Sequence, residues 1–219
     1  MGRKNRQGRC PCFFILRLHA LLIGIAWLGL PAVTAAEGVW SEIAPPTPNV
    51  LHSIEYINRV EAWGVGDDGT VVRYQDGFWR NSPSGSDEDL LDITMVGDEE
   101  AWAVGVNGTI LHYSNRMWTP VPESKTLTLL PLHAVTFVNQ DNGWAVGGRA
   151  APAAGIVLHY NGSTWVSATM TQDPLYDLVA VASDDVWFCG GDRRLMYFDG
   201  SEFSLKPSPI ADEIGRAHV

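Results

Sequence analysis

The chain has 219 residues, with 25 acidic side chains against 15 basic ones and a formal net charge of −10. That balance argues against nucleic acid or an anionic membrane surface as a partner, since both are held by clustered positive charge. Of its three cysteines two fall within the first twelve residues, so Cys189 is left alone in the body of the chain and no disulfide framework can form there.

The first 36 residues read as a secretory signal. Arg3, Lys4, Arg6 and Arg9 give a basic start, residues 18–30 (LHALLIGIAWLGL) an apolar run, and Pro31 with the small residues of AVTAA a cleavage region ending at Ala36. An uncleaved anchor is the alternative, but Arg17 and His19 keep the apolar run below the ~18 residues of a spanning helix. The expected mature chain therefore starts at Glu37, is secreted or periplasmic and has no membrane attachment. It keeps ten basic against 25 acidic residues, a charge of −15.

From Leu51 onward the chain aligns on itself four times without a gap. LHSIEYINRVEAWGVG, LLDITMVGDEEAWAVG from Leu90, LHAVTFVNQDNGWAVG from Leu132 and LYDLVAVASDDVWFCG from Leu175 each place a tryptophan twelve residues after the leucine and a glycine three residues after the tryptophan. Each row continues into a second apolar pair: TVVRYQDGFW, TILHYSNRMW, IVLHYNGSTW and LMYFDGSEF. Here Tyr74, Tyr113, Tyr160 and Tyr197 are read as equivalent, and Arg73, His112, His159 and Met196 as occupying one tolerant position before them. The tryptophans Trp63, Trp102, Trp144 and Trp187 are spaced by 39, 42 and 43 residues. Four short strands, A to D, at such a period predict an all-β fold, a β-propeller of four-stranded antiparallel blades. Residues 37–209 are expected to form it, with blades starting near 51, 90, 132 and 175 and no helix.

The C-to-D connections carry Asp76-Gly77, Asn161-Gly162 and Asp199-Gly200, dipeptides that accept the positive φ of tight hairpins. Eight of the nine tryptophans lie beyond residue 36, and Trp40, Trp63, Trp79, Trp102, Trp118, Trp144, Trp165 and Trp187 occupy two repeated positions. Recurrence in every unit marks them as packing between blades, whereas a carbohydrate platform would gather several in one place. The segment VWSEIAPP, with Trp40 at the strand D position, predicts a lone strand that closes a ring by completing a final blade. Four units and a lone strand leave that blade unfilled. The tail EIGRAHV resembles a translated sequencing adapter, so residues 214–219 are expected to be artefactual and the natural chain to continue.

WAVGVNGTILHY and WAVGGRAAPAAGIVLHYNGSTW resemble bacterial propellers of the sialidase-like, Asp-box (BNR-like) superfamily, including photosystem II assembly-factor propellers. The Asp box Ser-x-Asp-x-Gly-x-x-Trp is incomplete here, since YQDGFW lacks the serine and YSNRMW both the acid and the glycine. The resemblance implies a propeller and either of two roles. One is a binding or assembly module that presents loops to a protein or glycan partner. The alternative is a fragment of a sialidase-like glycoside hydrolase, which employs an arginine trio, a tyrosine nucleophile with a glutamate, and an acidic proton donor. Arg73, Arg116, Arg149, Arg193 and Arg194 are present, but no motif identifies the trio, and the tyrosines are explained by the repeat. No catalytic residue, metal or cofactor is expected. His52 and His133 are repeat equivalents of each other, as are His112 and His159, and the acidic turns 98–100 and 183–185 lack the ligand spacing of a calcium site.

The binding reading places its candidate residues on the face where the B-to-C and D-to-A connections emerge, because all irregular segments fall there. They are Asp67, Asp68, Asn107, Asp192 and Arg193 in B-to-C turns, and Arg149 in the GRAAPAA insertion, which is expected to be a loop. Asn107-Gly-Thr and Asn161-Gly-Ser are also sequons, although turn chemistry accounts for both.

Overall fold

A computed structural model describes residues 43, 46–58, 60–97, 99–192 and 195–207. The expected signal segment, Trp40 with its lone strand, Asp98, Arg193, Arg194 and the tail from residue 208 lie outside the described residues. Everything described belongs to the compact unit that begins at Ile43. Sixteen strands form four separate four-stranded sheets, each in chain order and antiparallel throughout. Blade 1 holds β1 (Leu51–Asn58), β2 (Glu61–Gly66), β3 (Val71–Gln75) and β4 (Phe78–Asn81). Blade 2 holds β5 (Leu90–Met95), β6 (Ala101–Gly105), β7 (Ile110–Ser114) and β8 (Met117–Pro120). Blade 3 holds β9 (Leu132–Asn139), β10 (Asn142–Ala150), β11 (Ala153–Tyr160) and β12 (Trp165–Thr171). Blade 4 holds β13 (Leu175–Ala182), β14 (Asp185–Gly190), β15 (Leu195–Phe198) and β16 (Phe203–Lys206). These are the blades of a β-propeller.

The spacing from leucine to glycine has a steric cause. Gly66, Gly105 and Gly190 end the second strand of their blades, and Gly147 ends the pairing of β10 with β9, each opposite the leucine that opens the first strand, Leu51, Leu90, Leu175 and Leu132 respectively. A Cβ on Gly105 would stand 2.0 Å from the carbonyl oxygen of Asp89, and one on Gly66 1.9 Å from that of Val50. Gly147 and Gly190 meet the carbonyls of Pro131 and Pro174 in the same way. Each of those carbonyls accepts the N–H of the residue after the glycine, at 2.8 to 3.0 Å, so the contact recurs in every blade.

The cores lie between blades. Trp63, Val65 and Val71 of blade 1 pack with Leu90, Ile93, Tyr113 and Trp118 of blade 2. Trp102 and Val104 pack with Leu132, Val135, Leu158 and Trp165 of blade 3, and Trp144 and Val146 with Leu175, Phe188 and Met196 of blade 4. The second-strand tryptophans of blades 1 to 3 thus enter the aromatic pair of the following blade. Trp63 meets Trp118 edge-on at 5.6 Å between ring centroids, and Trp102 meets Trp165 at 5.6 Å. Edge-to-face contact of this kind adds about 0.5–1.5 kcal/mol to simple burial. Trp63, Trp102, Trp118, Trp144 and Trp165 are buried, whereas Trp79 and Trp187, in the first and last blades, are half-buried.

Four local features differ from the sequence expectations. The register of blade 4 pairs Trp187 with Tyr197, just as Trp63 pairs with Arg73, Trp102 with His112 and Trp144 with His159. Tyr197 therefore takes the Arg/His position, Phe198 takes the place of Tyr74, Tyr113 and Tyr160, and Met196 aligns with Val72, Leu111 and Leu158. GRAAPAA is a ladder extension, with Arg149 opposite Ala154 and Ala150 opposite Ala153, because small residues let the two strands continue to the turn at Ala151 and Pro152. The Asp76-Gly77 hairpin has both φ angles positive, 54° and 84°, and Asn115-Arg116 makes the same turn at 52° and 64°. Asn161 and Asp199 instead start longer turns, each side-chain oxygen accepting two backbone N–H groups further on. One short helix, α1 (Ser124–Leu127), interrupts the connection from β8 to β9; the Ser124 hydroxyl donates to the Val121 carbonyl at 2.8 Å within it.

Candidate partner-binding face

The B-to-C turns after β2, β6 and β14 share one backbone device. Asp68, Asn107 and Asp192 adopt φ of 52°, 54° and 49°, the left-handed region in which Asn and Asp are the best tolerated of non-glycine residues. In blades 1 and 2 these turns are tied to the connection that leads from β4 to β5. The Asp68 N–H donates to Asp89 Oδ1 at 3.0 Å, and the Gly69 N–H donates to the Glu88 carbonyl at 3.0 Å. Asn107 Nδ2 donates to Glu88 Oε2 at 2.8 Å, while Lys125 Nζ reaches Glu88 Oε1 at 3.0 Å from α1. Those two donors hold the Glu88 carboxyl below its ordinary range, the Lys125 hydrogen bond being the larger cause. Asp67 is fixed separately, its Oδ1 lying 2.6 Å from His52 Nε2.

The structure thus brings Asp68 and Asn107 together through consecutive residues, Asp89 and Glu88. Arg149 stands apart at the tip of the β10–β11 hairpin, exposed, with its Nε donating to the Pro152 carbonyl at 3.3 Å. Asp192 lies in the corresponding turn of blade 4.

A feature that the sequence reading missed sits beside the Glu88 cluster. Gly85, Ser86, Asp87 and Glu88 on one side, and Pro120, Val121, Pro122, Ser124 and Lys125 on the other, wall an open cleft of about 510 Å³. Thr109 and Ile110, at the start of β7, also line it. Thr109 is only 3% exposed, and its hydroxyl has no hydrogen-bond partner among the described residues. Burying an unmatched hydroxyl costs about 1–3 kcal/mol, and the indole Nε1 groups of Trp63, Trp102, Trp118, Trp144 and Trp165 share that unmatched state. Thr109 is the third residue of the sequon whose Asn107 amide is engaged by Glu88.

The remaining polar candidates have packing roles. Arg73 donates to Glu61 and lies 4.9 Å from the centre of the Trp63 ring. His112 stacks on Trp102, and His159 lies tilted against Trp144 with ring centroids 4.2 Å apart. Burial holds His159 below the ordinary histidine range and does the same to His133, partly offset there by the Gly148 carbonyl. Arg73, Arg116 and Arg149 lie respectively against Trp63, in the β7–β8 turn and at the β10–β11 tip, so the structure does not gather them into a trio.

No family model matches the chain, and no curated protein matches it. Solved structures do. YCF48 from Cyanidioschyzon merolae is 16% identical with a TM-score of 0.59, the match covering 78% of this chain and 61% of that one. The extracellular domain of BT3049 from B. thetaiotaomicron is 14% identical with a TM-score of 0.55, over 78% of this chain and 24% of that one. The computationally designed Ika4 protein is 12% identical with a TM-score of 0.53, over 71% and 94%. At these identities the likeness is one of fold, and it agrees with the four blades. The chain spans 61% of the length of the first of these structures and about a quarter of the second.

Proposed function

We propose that the chain is an extracytoplasmic binding or assembly module that receives a segment of a protein partner on the face of its B-to-C and D-to-A connections. The observation that carries this reading is the cleft beside Glu88, lined by Thr109 and walled by two irregular loops on a rigid scaffold. Its walls are proline-rich on one side and acidic on the other, with Asp87 and Glu88 facing the single wall cation Lys125. Such a site suits an extended peptide with apolar side chains and a basic residue better than it suits a sugar, which is bound against exposed aromatic rings. Asp67, Asp68 and Asn107 support these loops, while Arg149, Asp192 and Arg193 are proposed to extend the contact along the same face. Export rests on the basic, apolar and small-residue order of residues 1–36. The Asp-box resemblance supports a propeller of the sialidase-like superfamily in a binding role.

Peptide and glycan arrays probed with the labelled chain test the reading. Binding to proline-containing or apolar peptides with a basic residue, lost on Asp87→Lys and on Thr109→Val, is the expected result. Binding confined to glycans, or unaffected by both substitutions, contradicts it.

A further inference from the structure

Asparagine is followed by glycine three times, at Asn107-Gly108, Asn142-Gly143 and Asn161-Gly162. In such a pair the glycine nitrogen can attack the asparagine side-chain carbonyl, because glycine has no Cβ to crowd the approach. The fold closes this route at two of the three. The Gly108 N–H donates to the Leu130 carbonyl at 3.0 Å, and Asn107 Nδ2 donates to Glu88 Oε2 at 2.8 Å. Gly108 is also buried, with the Thr128 carbonyl oxygen 2.1 Å from where a Cβ would stand. Asn142 and Gly143 open β10, where Gly143 is paired on both sides, with Phe137 of β9 and Tyr160 of β11. The Phe137 ring covers it, 2.4 Å from a Cβ position.

Asn161 differs on each count. It is exposed in the turn between β11 and β12, and the Gly162 N–H has no acceptor among the described residues. Asn161 Oδ1 accepts the N–H groups of Ser163 at 3.1 Å and Thr164 at 3.0 Å, which curls the side chain back over the Gly162 peptide. Those two donors polarise the carbonyl and face the oxygen on which negative charge develops during attack, as an oxyanion hole does.

We propose that Asn161 is a site of spontaneous deamidation, with water as the only co-reactant. The Gly162 nitrogen gives its proton to solvent base and bonds to Asn161 Cγ; the Cγ–Nδ2 bond breaks, and Nδ2 leaves as ammonia after taking a proton from water. Water then opens the five-membered imide at either carbonyl carbon, leaving aspartate or isoaspartate at position 161. The aspartate product suits the turn, since blade 4 already carries Asp199 there, its Oδ1 accepting the N–H groups of Ser201 and Glu202 at 2.9 and 2.8 Å. Isoaspartate does not, because its extra main-chain carbon shifts the carboxylate away from Ser163 and Thr164. Either product adds a negative charge beside Asp141, whose Oδ1 lies 3.1 Å from a Cβ position on Gly162. The turn emerges on the face opposite the B-to-C connections, so the proposal does not depend on the function proposed for those.

The full chain, held in warm, mildly alkaline buffer and mapped by peptide mass spectrometry, tests the proposal. In the folded chain Asn161 should convert about tenfold or more faster than Asn107 and Asn142, since each of those must first give up a backbone hydrogen bond. In guanidinium, where the fold no longer distinguishes the three pairs, the rates should converge. Isoelectric focusing of the aged, folded wild type should show one new acidic band, which Asn161→Gln suppresses about tenfold or more, because its longer side chain must close a six-membered ring. An Asn161 that stays intact, that converts no faster than either other pair in the folded chain, or that keeps its lead in guanidinium overturns the proposal. So does an acidic band that forms equally in Asn161→Gln.

Discussion

The imidazole of His112 lies flat on the indole of Trp102, ring centroids 3.9 Å apart and planes 13° from parallel, with His112 Nε2 2.9 Å from Glu100 Oε1. Arg73 over Trp63, and His159 and Tyr197 tilted by 31° and 44° against Trp144 and Trp187, occupy the same position with different chemistry. The position requires a flat group that can cover the tryptophan, and Glu61 and Glu100 hold its polar end in the first two blades. His112→Arg should therefore be nearly neutral, whereas His112→Ala should lose roughly 1–2 kcal/mol of stacking and burial. Urea unfolding of both variants decides; an equal loss would mean that histidine chemistry itself is needed.

Two glycines should fail differently when changed to alanine. At Gly105 the new methyl would collide with the Asp89 carbonyl, which is fixed by its bond to the Val106 N–H, so a loss of at least ~1–3 kcal/mol is expected from overpacking. At Gly77 nothing lies within 4 Å, but φ is 84°, and the loss should be only ~1 kcal/mol of backbone strain. Thermal midpoints in the reverse order would refute the steric account of the glycine after each tryptophan.

Arg116 occupies the second position of a turn at φ 64°, where Gly77 stands in blade 1. Arg116→Gly should raise stability by about 0.5–1 kcal/mol, since the strain removed exceeds the entropy that glycine adds to the unfolded chain. A lower midpoint for the glycine variant would show that the arginine side chain stabilises more than its backbone costs.

Asp92 and His159 should contribute opposite slopes to stability as pH changes. Asp92 accepts from Ser53 Oγ and the Val135 N–H, yet burial, the larger effect, raises its pKa. Its contribution is full below the unfolded value near 3.8 and is lost as pH rises through the folded value. Burial lowers the pKa of His159, so its contribution is present above the unfolded value near 6.5 and lost as pH falls through the folded value. His159→Phe should flatten the loss on acidification below that value. Asp92→Asn should be neutral or stabilising at pH 7, while Asp92→Leu, which strands the Val135 N–H, should cost about 1–3 kcal/mol. Parallel stability–pH curves for His159→Phe and the wild type would contradict the assignment.

The blade pattern was legible because the constraint is short-range: a tryptophan and a glycine three residues apart fix one strand and the contact that ends it. Blade 4 was misread where identity was followed instead of spacing. Tyr74 and Tyr113 each lie eleven residues after their tryptophan, and eleven residues after Trp187 is Phe198. GRAAPAA resembled a loop because glycine, alanine and proline are poor strand formers, yet they pair here without side chains to obstruct the ladder. Thr109 gave no signal at all. Its cleft exists only because two connections 35 residues apart, at Asp87 and Pro122, are carried to the same edge of blade 2.

The account's central claim is that the second-strand tryptophans of blades 1 to 3 are directional links into the following blade, and unfolding of Trp102→Ala beside Trp187→Ala tests it most directly. Trp102 is 3% exposed and meets Phe137, Tyr160 and Trp165, so its removal should cost ~3–5 kcal/mol. Trp187, whose ring contact among the described residues is with Tyr197 of its own blade, should cost less than about 1.5 kcal/mol. Equal losses would contradict the claim and return the tryptophans to the separate interiors of their own blades.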